Sequence, residues 1–138
     1  MASPVFFVKN KDSGLHFVQD YQKLNNITIK NAYPLPLVPD IMNKIASTNA
    51  KYFTKLNVHW RYNNVHIREG DEWKAAFRTN CGLYEPLVML FGLTNSLATF
   101  QTMMNEIFKE LIDEGVVVVF IDNILIFPES LEDHCKIM

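Results

Sequence analysis

The amino-acid sequence predicts an α+β domain in which a largely antiparallel sheet packs on helices. Three observations lead to this class: short apolar runs separated by turn residues, one long amphipathic helix, and an apolar hairpin directly after that helix. Strands that cluster before a helix, without regular strand-helix alternation, are typical of this class. The 138 residues suffice for one domain with a hydrophobic core.

Short apolar and aromatic runs bounded by turn residues predict the strands. They cover residues 5–8, 15–18, 52–58, 64–68, 73–79 and 83–90. The helical segments are fewer: a short helix or turn at residues 20–26, a helix over residues 40–45 that Pro39 begins, and a final helix from Leu131 that Ser130 caps.

The strongest helical signal covers residues 95–114. Its apolar residues recur at intervals of three and four, which builds one stripe for packing. The stripe consists of Leu97, Phe100, Met104, Ile107 and Leu111. Thr94 or Asn95 can cap the start of the helix, and Gly115 ends it.

An apolar hairpin, "GVVVVFIDNILIF", follows at residues 115–127 and carries two polar side chains at its tip, Asp122 and Asn123. Both residue types favour turns, so a plain hairpin turn explains them without any function. A carboxylate held rigidly on a hairpin is also a common way to bind a catalytic metal ion. The hairpin pattern by itself leaves both interpretations open.

Composition and charge restrict the function classes. Hydrophobic residues make up 49% of the chain and charged residues 20%, which is typical of a globular protein. The net charge of −2 argues against a free-standing nucleic-acid binder with a basic surplus, although it allows a local basic groove. Two cysteines give no disulfide framework and suit a reducing compartment. The sequence contains neither a signal-peptide core nor an apolar run approaching ~18 residues, so we expect an intracellular protein, in cytoplasm or nucleus, without membrane contact.

Five segments carry a resemblance to a known family: "DYQKLNNITIKNAYPLPL", "YFTKLNV", "YNNVHIREGDEWKAAFRT", "FGLTNSLATFQTMMNEIF" and "FIDNILIF". They resemble, in the same order, motifs in the reverse transcriptase (RNA-directed DNA polymerase) of Ty3/gypsy-type LTR retrotransposons. The first is similar to the family's fingers segment, the fourth to the loop and helix of its nucleotide pocket, and the last to its hairpin with two aspartates. Several long motifs in the right order, over nearly the whole chain, make this resemblance specific.

The resemblance implies one polymerase fingers/palm fragment over residues 1–138. The fingers would cover about residues 1–32 and 66–95, and the palm about residues 33–65 and 96–138. The family's thumb and RNase H domains have no counterpart in this sequence, so we expect exposed sheet edges that favour self-association. Implied partners are an RNA or DNA template-primer and dNTPs, bound weakly.

The resemblance also implies template-directed nucleotidyl transfer with two Mg²⁺ (or Mn²⁺) ions, held about 3.5–4 Å apart by carboxylates. The family has three aspartates, and this chain has Asn57, Asp122 and Asn123 at those positions. Only Asp122 is left as a metal-ligating carboxylate, so we predict weakened metal binding and an impaired or inactive polymerase. We expect the strand at residues 52–58 to lie beside the hairpin, with Asn57 near Asp122. Two alternatives stay open: a non-catalytic remnant that binds nucleic acid or a partner, and a transposon fossil without a selected role.

Seven further positions match nucleotide-binding positions of the family. They are Tyr62, Phe91, Gly92, Gln101, His16, Lys9 and Lys11. A solvated turn explains Lys9 and Lys11 at least as well as a contact with a triphosphate. Tyr62 would exclude a ribose 2′-hydroxyl, although simple packing explains it equally well. His16 stands where the family has an arginine, and a neutral imidazole cannot form a bidentate contact to phosphate. Arg61 replaces a small residue, usually glycine, and would crowd the nucleotide floor.

Overall fold

The computed structural model describes residues 2–9 and 14–138, which form seven strands, five α-helices and two 3₁₀ segments. The strands are β1 (Ser3–Lys9), β2 (Leu15–Gln19), β3 (Thr54–Asn57), β4 (Phe77–Thr79), β5 (Gly82–Tyr84), β6 (Val117–Phe120) and β7 (Asn123–Ile126). The helices are α1 (Gln22–Ile27), α2 (Val38–Ala46), α3 (Ser96–Ile107), α4 (Lys109–Asp113) and α5 (Leu131–Ile137). The 3₁₀ segments are Arg61–Asn64 and Glu72–Ala75.

The chain divides into two compact units. The first unit comprises Met1–Asn31 and Tyr62–Ser96, and the second comprises Ala32–Arg61 and Leu97–Met138. Each unit contains one sheet, so the predicted α+β class with mainly antiparallel sheets is confirmed. Within the described part of the chain, no helix combines the length and the apolar character needed to cross a bilayer.

The sheet of the first unit has the strand order β2-β1-β4-β5. The hairpin of β1 and β2 is antiparallel, with Val5 opposite Gln19, whereas β1 and β4 pair in parallel through Ser3 and Phe77. The Phe17 ring contacts Phe77 edge to face, with the centroids 5.5 Å apart. The core of this unit continues through the buried side chains of Tyr21, Tyr62, Ala75, Ala76 and Met89.

Three strand predictions in the first unit differ from the structure. Residues 64–68 form one isolated bridge, from His66 to Val88, and residues 73–76 belong to a 3₁₀ segment and its end. The predicted strand at residues 83–90 ends at Tyr84. Pro86 follows two residues later, and its missing N–H prevents a regular strand from continuing there. The strand predictions for residues 73–79 and 83–90 were therefore too long, and the strand predicted at residues 64–68 was wrong.

The sheet of the second unit has the strand order β3-β7-β6, and both pairings are antiparallel. Its valine and isoleucine side chains form a core with α3. The buried members include Phe100, Met104, Val117, Val119, Ile124, Ile126 and Phe127. The helix predicted over residues 95–114 is interrupted at Phe108, whose backbone leaves helical geometry at φ −98° and ψ 14°. Helical hydrogen bonds still reach Phe108 from both sides, so the interruption is local.

Candidate active site

The tip of the β6–β7 hairpin is a two-residue turn made of Ile121 and Asp122. Phe120 and Asn123 pair directly on either side of it. Ile121 adopts a φ of 56°, a conformation that a β-branched residue rarely takes. Such a conformation costs about 1–3 kcal/mol and persists only where the surrounding structure enforces it. The turn thereby holds Asp122 at the end of a rigid, largely buried hairpin.

Strand β3 brings Asn57 to this tip. Asn57 is the last residue of β3 and lies directly opposite Asn123 of β7. The backbone N–H of Val58 donates to the carbonyl of Asp122 at 2.8 Å, which extends the pairing past the end of the strand. The prediction that residues separated by 65 positions meet here is therefore confirmed.

Three donors surround the carboxylate of Asp122. The Nδ2 of Asn57 donates to Oδ2 at 3.3 Å and also to Oδ1 of Asn123 at 3.2 Å. The Nδ2 of Asn123 lies 3.5 Å from Oδ1 of Asp122. Arg61 places its Nη1 3.2 Å from the same Oδ1, and both side chains of this ion pair are partly buried, at 29% and 23% exposure. Because a carboxylate can only accept hydrogen bonds, the amides turn their N–H groups toward it.

Gln101 supports the strained turn from behind. Its side chain is fully buried on α3, and its Oε1 accepts the backbone N–H of Ile121 at 2.7 Å. Its Nε2 donates to the carbonyl of Val119 at 3.1 Å and to Oδ1 of Asn105 at 2.9 Å. The predicted contact of Gln101 with a nucleotide stays a prediction. In the structure its amide fixes the hairpin that carries Asp122.

Asn105 is a contributor that sequence reasoning missed. Its Nδ2 donates to the hydroxyl of Tyr33 at 2.8 Å, so it joins Gln101 to the chain before α2. The i, i+4 spacing of Gln101 and Asn105 on one helix face is a signal that could have revealed the pair.

Three predicted nucleotide-binding residues meet in the first unit. The rings of Tyr62 and Phe91 pack edge to face with centroids 4.9 Å apart, and Tyr62 is only 7% exposed. Gly92 follows at φ 91°, a conformation that suits glycine. Asn25 holds this turn from α1, since its Nδ2 donates to the carbonyl of Gly92 at 2.7 Å and its Oδ1 accepts the N–H of Thr94 at 2.8 Å.

Lys9 and His16 lie on the hairpin of β1 and β2. Lys9 pairs with Leu15 at the end of β1, and His16 pairs with Val8 on β2. Both Lys9 and His16 are exposed. The predicted role of Lys11 falls outside the described residues.

Comparison with known proteins identifies the family. The family model described as "Reverse transcriptase (RNA-dependent DNA polymerase)" matches residues 8–138. The chain belongs to the reverse transcriptase family. The resemblance stated from the five sequence segments is thereby confirmed.

Two comparisons refine the relationship of this reverse transcriptase domain. The Transposon Tf2-7 polyprotein of Schizosaccharomyces pombe is 42% identical to it over 98% of this chain, and the Tf2-3 polyprotein is 41% identical. These are retrotransposon polyproteins of the Ty3/gypsy type. The chain spans about a tenth of the length of these relatives, 10% in both cases.

Solved structures of viral reverse transcriptases share the fold. The foamy viral protease-reverse transcriptase in complex with an RNA/DNA hybrid superposes with a TM-score of 0.82 at 21% identity, over 99% of this chain and 18% of that chain. The native prototype foamy virus protease-reverse transcriptase gives a TM-score of 0.74 at 23% identity, with the same coverage of both chains.

The donor set at the hairpin tip does not fit the divalent metal ions that the reverse transcriptase family generally uses. Mg²⁺ takes oxygen ligands, and two adjacent ions need several carboxylates to balance their charge. The tip offers one carboxylate, two amides whose N–H groups face it, and a guanidinium. Among residues 2–9 and 14–138, no three His, Cys, Asp or Glu side chains come together as metal ligands.

Proposed function

We propose that this chain is a reverse transcriptase domain, an RNA-directed DNA polymerase by descent, whose active site no longer supports nucleotidyl transfer. The observation that carries the proposal is the environment of Asp122. Its carboxylate oxygens accept hydrogen bonds from the Nδ2 groups of Asn57 and Asn123 and from the Nη1 of Arg61. Side chains that donate to a carboxylate compete with a metal ion for the same oxygens.

The charge of the cluster supports this proposal. Asp122 contributes −1 and Arg61 contributes +1, so the four side chains sum to about zero at neutral pH (−1 + 1 = 0). Two divalent ions in the same place would repel each other unless negative charge lay between them. An amide oxygen can coordinate a metal ion but brings no charge to offset that repulsion. We therefore infer that Asp122 has at most weak affinity for Mg²⁺ or Mn²⁺.

We assign the first unit to the polymerase fingers and the second unit to the palm. In this assignment Tyr62, Phe91 and Gly92 are the retained wall of a nucleotide pocket. Two hydrogen bonds from Asn25 hold the turn at Gly92 in place, which supports this assignment. His16 offers no permanent positive charge to a triphosphate, so dNTPs would bind more weakly than in an active relative.

A non-catalytic role in binding nucleic acid is the second candidate. Foamy viral relatives that share this fold were solved with an RNA/DNA hybrid and with double-stranded DNA. A net charge of −2 gives no general attraction for phosphates, so we expect a template-primer to bind weakly. A transposon fossil without a selected role stays as a third interpretation, and an intracellular location stays a prediction.

Self-association through exposed apolar surface also belongs to the proposal. Large apolar side chains on the first sheet are 46% to 70% exposed. They are Phe6, Phe7, Val8, Leu15, Leu83 and Tyr84. Surfaces of this kind commonly mark contacts with other chains.

Primer extension with a chimera tests the proposed function. This chain would replace the matching segment of an active related reverse transcriptase, so that the rest of the polymerase is supplied. We expect no extension with Mg²⁺ or Mn²⁺. The control chimera carries N57D, N123D and R61G, and we expect it to recover measurable extension. Robust extension by the unsubstituted chimera would refute the proposed loss of activity.

A further inference from the structure

The approach of Arg61 to Asp122 depends on a sharp turn after β3. Val58 still pairs with Asp122 through its backbone, and Trp60 then adopts a φ of 57°, which is unusual for a bulky residue. Arg61 follows as the first residue of a 3₁₀ segment, and its Nη1 reaches Oδ1 of Asp122 at 3.2 Å. The backbone thus reverses within a few residues and returns a guanidinium to the hairpin tip.

We infer that Arg61 is the resident cation of this site and that it excludes divalent ions even when the missing carboxylates are supplied. This inference rests on the proposed function in taking Asn57 and Asn123 as the two lost carboxylate positions. It goes beyond that function because it makes Arg61, and not the amides alone, a determinant of which cation the site accepts.

The distances explain why restored carboxylates would bind Arg61 first. The Nδ2 of Asn57 lies 3.3 Å from Asp122 and 3.2 Å from Asn123, so all three side chains converge on one point. Carboxylates at positions 57 and 123 would repel Asp122 and each other at such distances. The guanidinium already contacts the other oxygen of the Asp122 carboxylate, Oδ1, at 3.2 Å, and its chain attachment gives it a high effective concentration beside this point.

The charge of the guanidinium also makes the exclusion permanent. The guanidinium is a permanent cation in proteins. A divalent ion would have to displace Arg61 from a partly buried contact and would then remain close to its positive charge. Coulomb repulsion over a few ångströms at a protein surface is large enough to lower metal affinity by about tenfold or more.

Mn²⁺ binding to three variants of the full chain tests the inference. The first carries N57D and N123D, the second adds R61Q, and the third adds R61K in place of R61Q. The measurement is the dissociation constant for Mn²⁺ alone, from the electron paramagnetic resonance signal of the free ion. We expect the R61Q variant to bind Mn²⁺ at least about tenfold more tightly than the first variant. The R61K variant should resemble the first, because lysine keeps the charge.

Equal Mn²⁺ affinity of the first two variants would overturn the role of Arg61, whether both bind tightly or neither binds. That result is distinguishable from failure of the proposed function. The latter would appear as saturable Mn²⁺ binding by the unsubstituted chain that D122N abolishes.

A second measurement covers the case in which the substituted chains do not fold. The side-chain Nε–H resonance of Arg61 is followed by nuclear magnetic resonance in the unsubstituted chain. We expect this resonance to shift in D122N and to remain unmoved by Mg²⁺ at millimolar concentration. Release of Arg61 by Mg²⁺ would contradict the inference.

Discussion

Replacing Gln101 by methionine, Q101M, tests how the hairpin tip is held in place. Methionine has nearly the same length and volume as glutamine, so the substitution removes hydrogen bonds while leaving little cavity. The bonds lost are those to the N–H of Ile121 at 2.7 Å, to the carbonyl of Val119 at 3.1 Å and to Asn105 at 2.9 Å. Gln101 is fully buried, so water cannot readily replace its amide.

The expected loss of stability follows from the backbone groups left without a partner. An unsatisfied buried donor or acceptor costs about 1–3 kcal/mol, and Q101M leaves one of each, at Ile121 and Val119. The sum is roughly 2–6 kcal/mol, a large fraction of the ~5–15 kcal/mol that stabilises a typical domain. With a urea dependence of about 2 kcal/mol per molar, the unfolding midpoint should fall by about 1–3 M.

The assay combines urea unfolding with hydrogen exchange at the Ile121 amide. We expect Q101M to lose protection of this amide, because its acceptor is the Gln101 side chain. The matched control is Q22M, the same substitution at an exposed position of α1, which should change stability by less than about 0.5 kcal/mol. An Ile121 amide that stays protected in Q101M, with an unchanged midpoint, would refute the assigned role of Gln101.

Three further predictions concern other parts of the chain. N25A removes two hydrogen bonds around Gly92 and should cost about 1 kcal/mol in the free energy of unfolding, with faster amide exchange at Thr94 and no such effect from N26A. Burial raises the pKa of Tyr21 to about 12, so its contribution to stability is fully present below about pH 10 and is lost as the pH rises toward 12. Y21F should remove the loss of stability between about pH 10 and 12 in urea unfolding. A dependence on pH that is the same in Y21F as in the unsubstituted chain would contradict this role of Tyr21. In fluorescence anisotropy, a duplex template-primer should bind with a dissociation constant no tighter than about 10⁻⁶ M at physiological salt, and nanomolar binding that survives 200 mM salt would be inconsistent with the charge argument.

Much of the fold follows from periodicity and turn chemistry in the sequence. The apolar run at residues 115–127 predicted the hairpin of β6 and β7, and the apolar spacing at residues 95–114 predicted the helix that packs on it. The lengths of the short strands in the first unit could not be read in the same way. They depend on pairings between distant segments, such as Ser3 with Phe77, which no local pattern specifies.

The candidate site was likewise predicted only in part. The resemblance predicted that Asn57 would meet Asp122, and the strand register places them in contact. The ion pair of Arg61 was not predicted, because a residue at the end of a turn can point in several directions. The direction of the Arg61 side chain depends on the positive φ of Trp60. A positive φ is usually signalled by glycine or asparagine, and this position has neither.

The central claim, that this reverse transcriptase domain cannot hold catalytic metal ions, is tested most directly by titrating the unsubstituted chain with Mn²⁺. The account predicts no saturable binding at millimolar Mn²⁺ that depends on Asp122, so the binding curves of the chain and of D122N should coincide. A saturable site with a micromolar dissociation constant, present in the chain and lost in D122N, would contradict it.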